Sequence, residues 1–318
     1  MRAALTVSLG ETRIVELPDP ACGPDEVVCR VLACATCGSD VAGHYVARKL
    51  PAVLGHEPAG EVVEVGRDVR SVAVGDRVAI HHHAPCGTCA RCASGHETLC
   101  PQYRETRLEP GGFAEYVRVA PQLVGELLTL DGLDPVAATL TEPLACAIRA
   151  QARVPGERLL VVGAGASGLL HVAAARANRR VFVREPDPQR LELARRWGAQ
   201  PHGGEPVDAA IVCTSAPGAF AAAAEALGPG GRLCLYATAA PGTPADVDLW
   251  TLFSRELTIT ASWSAGPADM RAALALLQAG EIAAGELITA RYDLAGTGAA
   301  LEAQRSGAAL KAVVTPWA

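Results

Sequence analysis

The sequence predicts an α/β protein of two domains, one mostly β and the other a doubly wound parallel sheet. Three observations carry this expectation. A chain of 318 residues exceeds what one ordinary hydrophobic core organises. Before about residue 145 it is a series of short β-rich runs broken by glycine and proline. From about Pro155 onward, apolar runs alternate with alanine-rich helical stretches, the pattern of parallel strands joined by crossover helices.

In chain order, the first part predicts strands at Ala3 to Val7, Glu26 to Ala33, Gly60 to Gly66, Arg77 to Ile80 and Ala114 to Val119. Leu159 to Val162 is uninterrupted apolar, as a strand covered on both faces should be. A helix from Leu169 to Asn178 and a strand at Val181 to Val183 follow. Further strands are expected at Ala209 to Cys213, Arg232 to Tyr236 and Leu257 to Ala261, with a helix at Ala219 to Leu227 before a Gly228-Pro-Gly-Gly turn. Only about ten residues separate the helix ending near Gly198 from the strand at Ala209, fewer than a strand plus crossover helix needs, so a loop is expected to replace one helix. Ile288 to Pro316 returns to strand-like patterns, and Ala312-Val-Val-Thr reads as a strand rejoining the first domain. The expected division is 1–144 with 286–318, and 145–285.

Composition excludes several classes. Half the residues are hydrophobic, the formal charge is −6, and no basic stretch occurs, so nucleic acid is not expected as a partner. No apolar run approaches the roughly 20 residues of a membrane span, and no leader-like segment is read at the N-terminus. A soluble cytoplasmic protein without a membrane partner is therefore expected. Lys49 and Lys311 are the only lysines among 28 cationic residues.

Two sets of metal-ligand residues stand out. Cys86-x2-Cys89-x2-Cys92-x7-Cys100 brings four sulfurs into fifteen residues, the pattern of a closed, structural zinc site. Dense disulfides belong to small secreted domains, which this chain does not resemble. His96 could replace a thiolate, yet four cysteines already complete the set. Cys22, Cys29, Cys34, Cys146, Cys213 and Cys234 lie in apolar surroundings, where a thiol acts as a small buried hydrophobe. Separately, Cys37 and Gly55-His56-Glu57 form an open Cys/His set, as a catalytic zinc requires when it keeps a position for water or substrate.

The run Gly163-Ala-Gly165-Ala-Ser167-Gly168 joins a buried strand to a helix, and Glu185 ends the next strand 22 positions past Gly163. This context is that of a dinucleotide site. The glycines let backbone approach a pyrophosphate, the helix N-terminus supplies amide donors, and the acid bonds ribose hydroxyls. Glu185 would repel a 2′-phosphate, favouring NAD(H) over NADP(H), whereas Arg184 and Arg190 could favour the opposite.

These motifs, together with Cys37-Gly-Ser-Asp, Gly60-x-Val-x-x-x-Gly66, Gly75-Asp-Arg-Val, Gly111-Gly-Phe-Ala-Glu-Tyr and Thr141-Glu142-Pro-Leu, resemble the zinc-dependent medium-chain dehydrogenases over essentially the whole chain. The likeness is greatest to the sorbitol (polyol) dehydrogenase branch. The resemblance implies a GroES-like β-barrel catalytic domain, a Rossmann NAD(P)-binding domain and an active site between them. It implies two Zn²⁺ per chain, a small-molecule alcohol or ketone substrate, and a homodimer or homotetramer.

By the same resemblance Cys37, His56 and Glu142 would hold the catalytic zinc, with Glu57 as a nearby acid that can approach the metal. Zinc would lower the pKa of a secondary alcohol of a polyol, cyclitol or sugar derivative so that hydride can leave to the nicotinamide. Ser39 matches the family's proton-relay hydroxyl. The position five beyond Cys37, often histidine, is Ala42, so His44 either takes over the relay or faces water. Two other readings of the residues are an epimerase or lyase that retains NAD, and a zinc-stabilised binding protein without catalysis.

Other residues have plainer readings. Alternate members of His81-His-His83 should face opposite sides of a strand, so a three-histidine metal site is not expected. Tyr45, Arg104, Arg149 and Trp263 could line a substrate cleft, or belong to ordinary packing or surface.

Overall fold

The computed structural model describes residues 1–245 and 247–318. The chain forms two units, Met1–Glu142 with Gly266–Ala318, and Pro143–Ala265. Among the described residues no helix is long and apolar enough to cross a membrane.

The first unit is built on β-sheets. Arg2–Ser8 lies between Glu11–Glu16 and Ala52–Val53 in a three-stranded antiparallel sheet. A larger sheet runs in the order Ile288–Tyr292, Lys311–Val314, Val27–Ala35, Glu57–Val65, Arg77–Ala79 and Leu128–Thr129, with Tyr116–Val119 also paired to Val27–Ala35. Val27–Ala35 is central and nearly buried throughout, and its apolar residues pack with Val62, Val78, Phe113 and Val117. Lys311–Val314 pairs antiparallel with this strand, so the C-terminal segment rejoins the first domain as expected.

The return to this unit occurs at Gly266, earlier than the expected residue 286. The helix Pro267–Gln278 explains the difference. Its Leu274 packs with Ala59, Ala79, Leu130 and Ala138, and Gln278 Nε2 donates to the Thr129 and Leu130 carbonyls. The strand-like reading of Ile288 to Pro316 also missed the helix Thr297–Ser306. Its buried Thr297, Ala300, Leu301 and Ala303 recur at helical spacing, but alanine gives that stripe little hydrophobic contrast.

The second unit is a six-stranded parallel sheet. Its order is Gln200–Pro201, Arg180–Arg184, Arg158–Val162, Val207–Val212, Leu227–Leu235 and Thr258–Ala261, the doubly wound arrangement. The order reverses between Arg158–Val162 and Val207–Val212, where ligands of such sheets bind. Residues 202–206 join Pro201 to Val207 without a helix, as the short spacing predicts; the Glu205 carbonyl and carboxylate receive bonds at His202 Nε2 and the Gly203 amide. The expected Gly228-Pro-Gly-Gly turn lies inside Leu227–Leu235. There it interrupts the register between the pairs Val207↔Leu227 and Ala209↔Arg232.

His171 lies wholly buried in the helix Ala166–Ala175, its ring 4.7 Å from that of Tyr236. Burial pushes its pKa down to about 3. The unfolded state therefore binds the proton first, so the stability this neutral group contributes is complete above pH 6.5 and is lost as pH falls towards 3, by up to about 1.4 kcal/mol per pH unit. His171→Leu is expected to flatten the fall of the thermal midpoint between pH 7 and 5. An unchanged pH slope would refute this.

Candidate metal centre and cofactor loop

None of the eleven cysteines is joined in a disulfide. The sulfurs of Cys86, Cys89, Cys92 and Cys100 lie within 4.8 Å of one another, and Cys89 and Cys92 are 3.6 Å apart. A tetrahedral ion with metal–sulfur bonds of about 2.3 Å sets its sulfurs about 3.8 Å apart, so the cluster fits zinc. Backbone prepares the charge: the Cys89 amide donates to Cys86 Sγ at 3.4 Å and the Cys86 amide to Cys100 Sγ at 3.4 Å. Hydrogen bonds from the Thr88 amide and hydroxyl, then from Cys89, pull the Cys86 thiol down to about 6, favouring the thiolate a metal needs.

The second centre forms where three strands meet. Cys37 lies just past Val27–Ala35 and precedes the short helix Gly38–Val41. His56 lies just before Glu57–Val65, held by a close backbone approach. Gly55 has φ of 96°, its carbonyl accepts from the Gly112 amide at 2.8 Å, and a Cβ on Gly55 would stand 2.8 Å from the Phe113 nitrogen. Cys37, His56 and Glu57 offer ligand atoms within 4.8 Å of one another.

Asp40 orients the first two. One of its oxygens accepts the Cys37 amide at 2.9 Å, and the other stands 3.2 Å from His56 Nδ1. With Nδ1–H given to Asp40, Nε2 is left with its lone pair for a metal. Burial opposes charge on His56, but Asp40 and Cys37 outweigh it and raise its pKa well above the usual range.

Glu57 is fully buried with Lys311, whose ammonium donates to Oε1 at 2.7 Å and lies 2.6 Å from Oε2. Burial lifts the Glu57 carboxyl to about 7, with Lys311 pulling against it. Burial likewise opposes charge on Lys311, which Glu57 more than offsets. Glu142, buried in the first turn of Thr141–Ala152, shares a small cavity with Glu57 and acts electrostatically on both Glu57 and Lys311. Thus the tight cluster closes on Glu57, while Glu142 lies at its side.

Ser39 is half-buried within Gly38–Val41, and His44 is exposed on Gly43–Val46. His81 and His83 are buried against Tyr103, with ring centroids 5.9 and 4.6 Å away, whereas His82 faces His56 at 5.0 Å. The run lies beyond the strand Arg77–Ala79 rather than within one, so strand alternation does not govern which way its members face.

In the second unit, Gly163, Gly165, Ser167 and Gly168 lie between Arg158–Val162 and the turns of Ala166–Ala175. A Cβ on Gly168 would stand 1.9 Å from the Gly163 carbonyl oxygen, whereas one on Gly165 meets nothing within 4 Å. The former glycine allows packing and the latter leaves space for a phosphate. Glu185 Oε2 accepts the Ala164 amide at 2.6 Å and Oε1 the Asp187 amide at 3.0 Å, which fixes the acid against the loop. Arg190 lies in the first turn of Pro188–Arg196, its amide bonded to Asp187.

Sequence reasoning assigned no role to Asp40, Lys311 or His82. Asp40 stands in the quoted Cys37-Gly-Ser-Asp run, and the rarity of lysine was a signal for Lys311.

A mostly-β unit with two cysteine-containing metal sets and a doubly wound unit with a dinucleotide loop define an oxidoreductase of the zinc-binding type. Two family models match: alcohol dehydrogenase GroES-like domain over residues 23–128 and zinc-binding dehydrogenase over residues 162–279. Sorbitol dehydrogenase of Bacillus subtilis is 38% identical over 213 residues, which span 63% of this chain and 60% of that protein. L-threonine 3-dehydrogenase of Saccharopolyspora erythraea is 30% identical over 96% of this chain and 95% of that protein. Among solved structures, a zinc-binding dehydrogenase of Sinorhizobium meliloti 1021 bound to NADP matches with a TM-score of 0.86 at 27% identity, over 99% of each chain. The chain belongs to the zinc-dependent medium-chain dehydrogenase family, in its sorbitol dehydrogenase-like branch.

Two variants test the centre. Asp40→Asn is expected to weaken metal binding at Cys37 and His56 about 10- to 100-fold in chelator competition while the four-cysteine site keeps its metal; equal affinity would remove Asp40 from the site. Lys311→Met leaves a buried carboxylate unpaired and should cost about 3–5 kcal/mol in unfolding, much of it recovered by adding Glu57→Gln. Wild-type melting of the single variant would show that the pair carries no such strain.

Proposed function

We propose that the protein transfers a hydride between NAD(P) and a secondary alcohol or ketone, with a polyol, cyclitol or sugar derivative as substrate. The observation that carries this reading is the convergence of Cys37, His56, Glu57 and Lys311 on one buried centre with Glu142 beside it. Cys37, His56 and Glu142 would hold the catalytic zinc, because Glu57 already has both oxygens against Lys311. When bound, zinc supplies the Lewis acidity that stabilises negative charge on the substrate oxygen.

The chain's own residues have distinct parts in this reading. Asp40 holds His56 in the tautomer that presents Nε2, and Lys311 compensates the charge that Glu57 and Glu142 bring to one buried place. Ser39 takes the proton leaving the alcohol, and exposed His44 passes it to water. Glu185 bonds the adenosine ribose hydroxyls and disfavours a 2′-phosphate. NAD is the favoured cofactor, since Arg184 is turned to the Ala222 carbonyl and His202. Exposed Leu249, Trp250 and Phe253 supply an apolar surface suited to a homodimer or homotetramer.

The test is a panel of polyols, cyclitols and sugars with NAD and NADP, read as formation of the reduced cofactor, alongside zinc stoichiometry. Two zinc ions per chain and turnover with NAD are expected. Cys37→Ser should abolish turnover and release one zinc. Loss of both metals would overturn the division of roles, and inertness of every alcohol and carbonyl with zinc and NAD bound would overturn the dehydrogenase reading.

A further inference from the structure

The three histidines after Arg77–Ala79 differ in what they touch. His81 Nε2 lies 3.3 Å from the Tyr103 hydroxyl and His83 Nδ1 lies 3.0 Å from the Thr106 carbonyl oxygen, and both residues are buried. They form a wall. His82 is only half-buried, its ring centroid 4.0 Å from that of His83 and 5.0 Å from that of His56, and its Nδ1 is sealed from solvent without a hydrogen-bond partner.

This asymmetry sets the tautomer. A cationic ring would need acceptors for two N–H groups, and the sealed Nδ1 has none, so the ring is neutral and carries one N–H. A buried donor without a partner is rarer than an unpartnered acceptor, so the sealed Nδ1 is the lone-pair nitrogen and Nε2 carries the proton. The ring thus presents a fixed N–H beside a metal-ligating histidine. A neutral donor suits a hydroxyl oxygen, whereas a carboxylate or phosphate calls for a cation.

We propose that His82 determines specificity by donating Nε2–H to a hydroxyl oxygen on the carbon next to the reacting one, selecting vicinal diols and polyols over simple secondary alcohols. The 5.0 Å between the His56 and His82 rings restricts that partner to an oxygen close to the reacting carbon. The inference rests on the dehydrogenase reading and deepens it by naming a residue that selects among its alcohol substrates.

The experiment compares 2,3-butanediol with 2-butanol as substrates of the zinc- and NAD-loaded enzyme, in the wild type, His82→Phe and His82→Asn. Phenylalanine keeps a ring against His56 without the donor, and asparagine keeps a donor without the ring. For His82→Phe, the ratio of kcat/KM on the diol to that on 2-butanol is expected to fall roughly tenfold or more, the loss expected when one hydrogen bond to substrate is removed. Zinc content should stay at wild-type level, and His82→Asn should recover part of the diol preference. An equal fall on both alcohols, or no fall on the diol in either variant, would overturn the assignment. A wild type that oxidises neither alcohol overturns the dehydrogenase reading along with it, which distinguishes that failure from one confined to His82.

Discussion

Ala35 pairs on one side with Glu57 and on the other with Val313, and the metal centre depends on this register. Antiparallel pairing of Lys311–Val314, Val27–Ala35 and Glu57–Val65 sets Cys37, His56, Glu57 and Lys311 at one end of a buried sheet, although they are up to 274 positions apart in the chain. A slip of one residue would turn Glu57 and Lys311 to the other face and leave each charge without its partner. Sheet register and charge pairing therefore reinforce each other, since buried ions of this kind are tolerated only when compensated.

Around that constraint, other residues restrict freedom. Asp40 binds the Cys37 amide with one oxygen and faces His56 with the other, so a single carboxylate positions both residues. Gly55 and Gly112 allow the chain before His56 to lie against the segment leading to Phe113. The cysteine lobe is independent of this arrangement, because its donors come from amides and a hydroxyl within its own turn. In the second unit the same economy recurs at Glu185, which braces the glycine loop through Ala164 and the turn that follows through Asp187.

Much of this was legible in the sequence. The doubly wound sheet followed from continuous apolar strands and the context of Gly163 to Gly168, and the missing crossover helix followed from counting residues between Gly198 and Ala209. The four-cysteine lobe could be read because its ligands lie within fifteen residues. Helices rich in alanine were harder: the buried stripe of Thr297–Ser306 is mostly small side chains, and Pro267–Gln278, which buries Met270, Ala273, Leu274 and Leu277, moved the return boundary to Gly266. The histidine run looked like decoration because spacing alone could not tell that His82 faces His56 while its neighbours face Tyr103.

Thus the sequence by itself determined the fold class, the family, the four-cysteine cluster and the grouping of Cys37 with His56, since each rests on residues close together or on motifs in order. Tertiary structure alone decided what lies against them. Lys311 opposite Glu57, Asp40 behind His56, Glu142 at the side of the cluster and His82 over the ring of His56 are consequences of strand register and burial. Contacts between residues far apart in the chain are set by packing, and no local spacing encodes them.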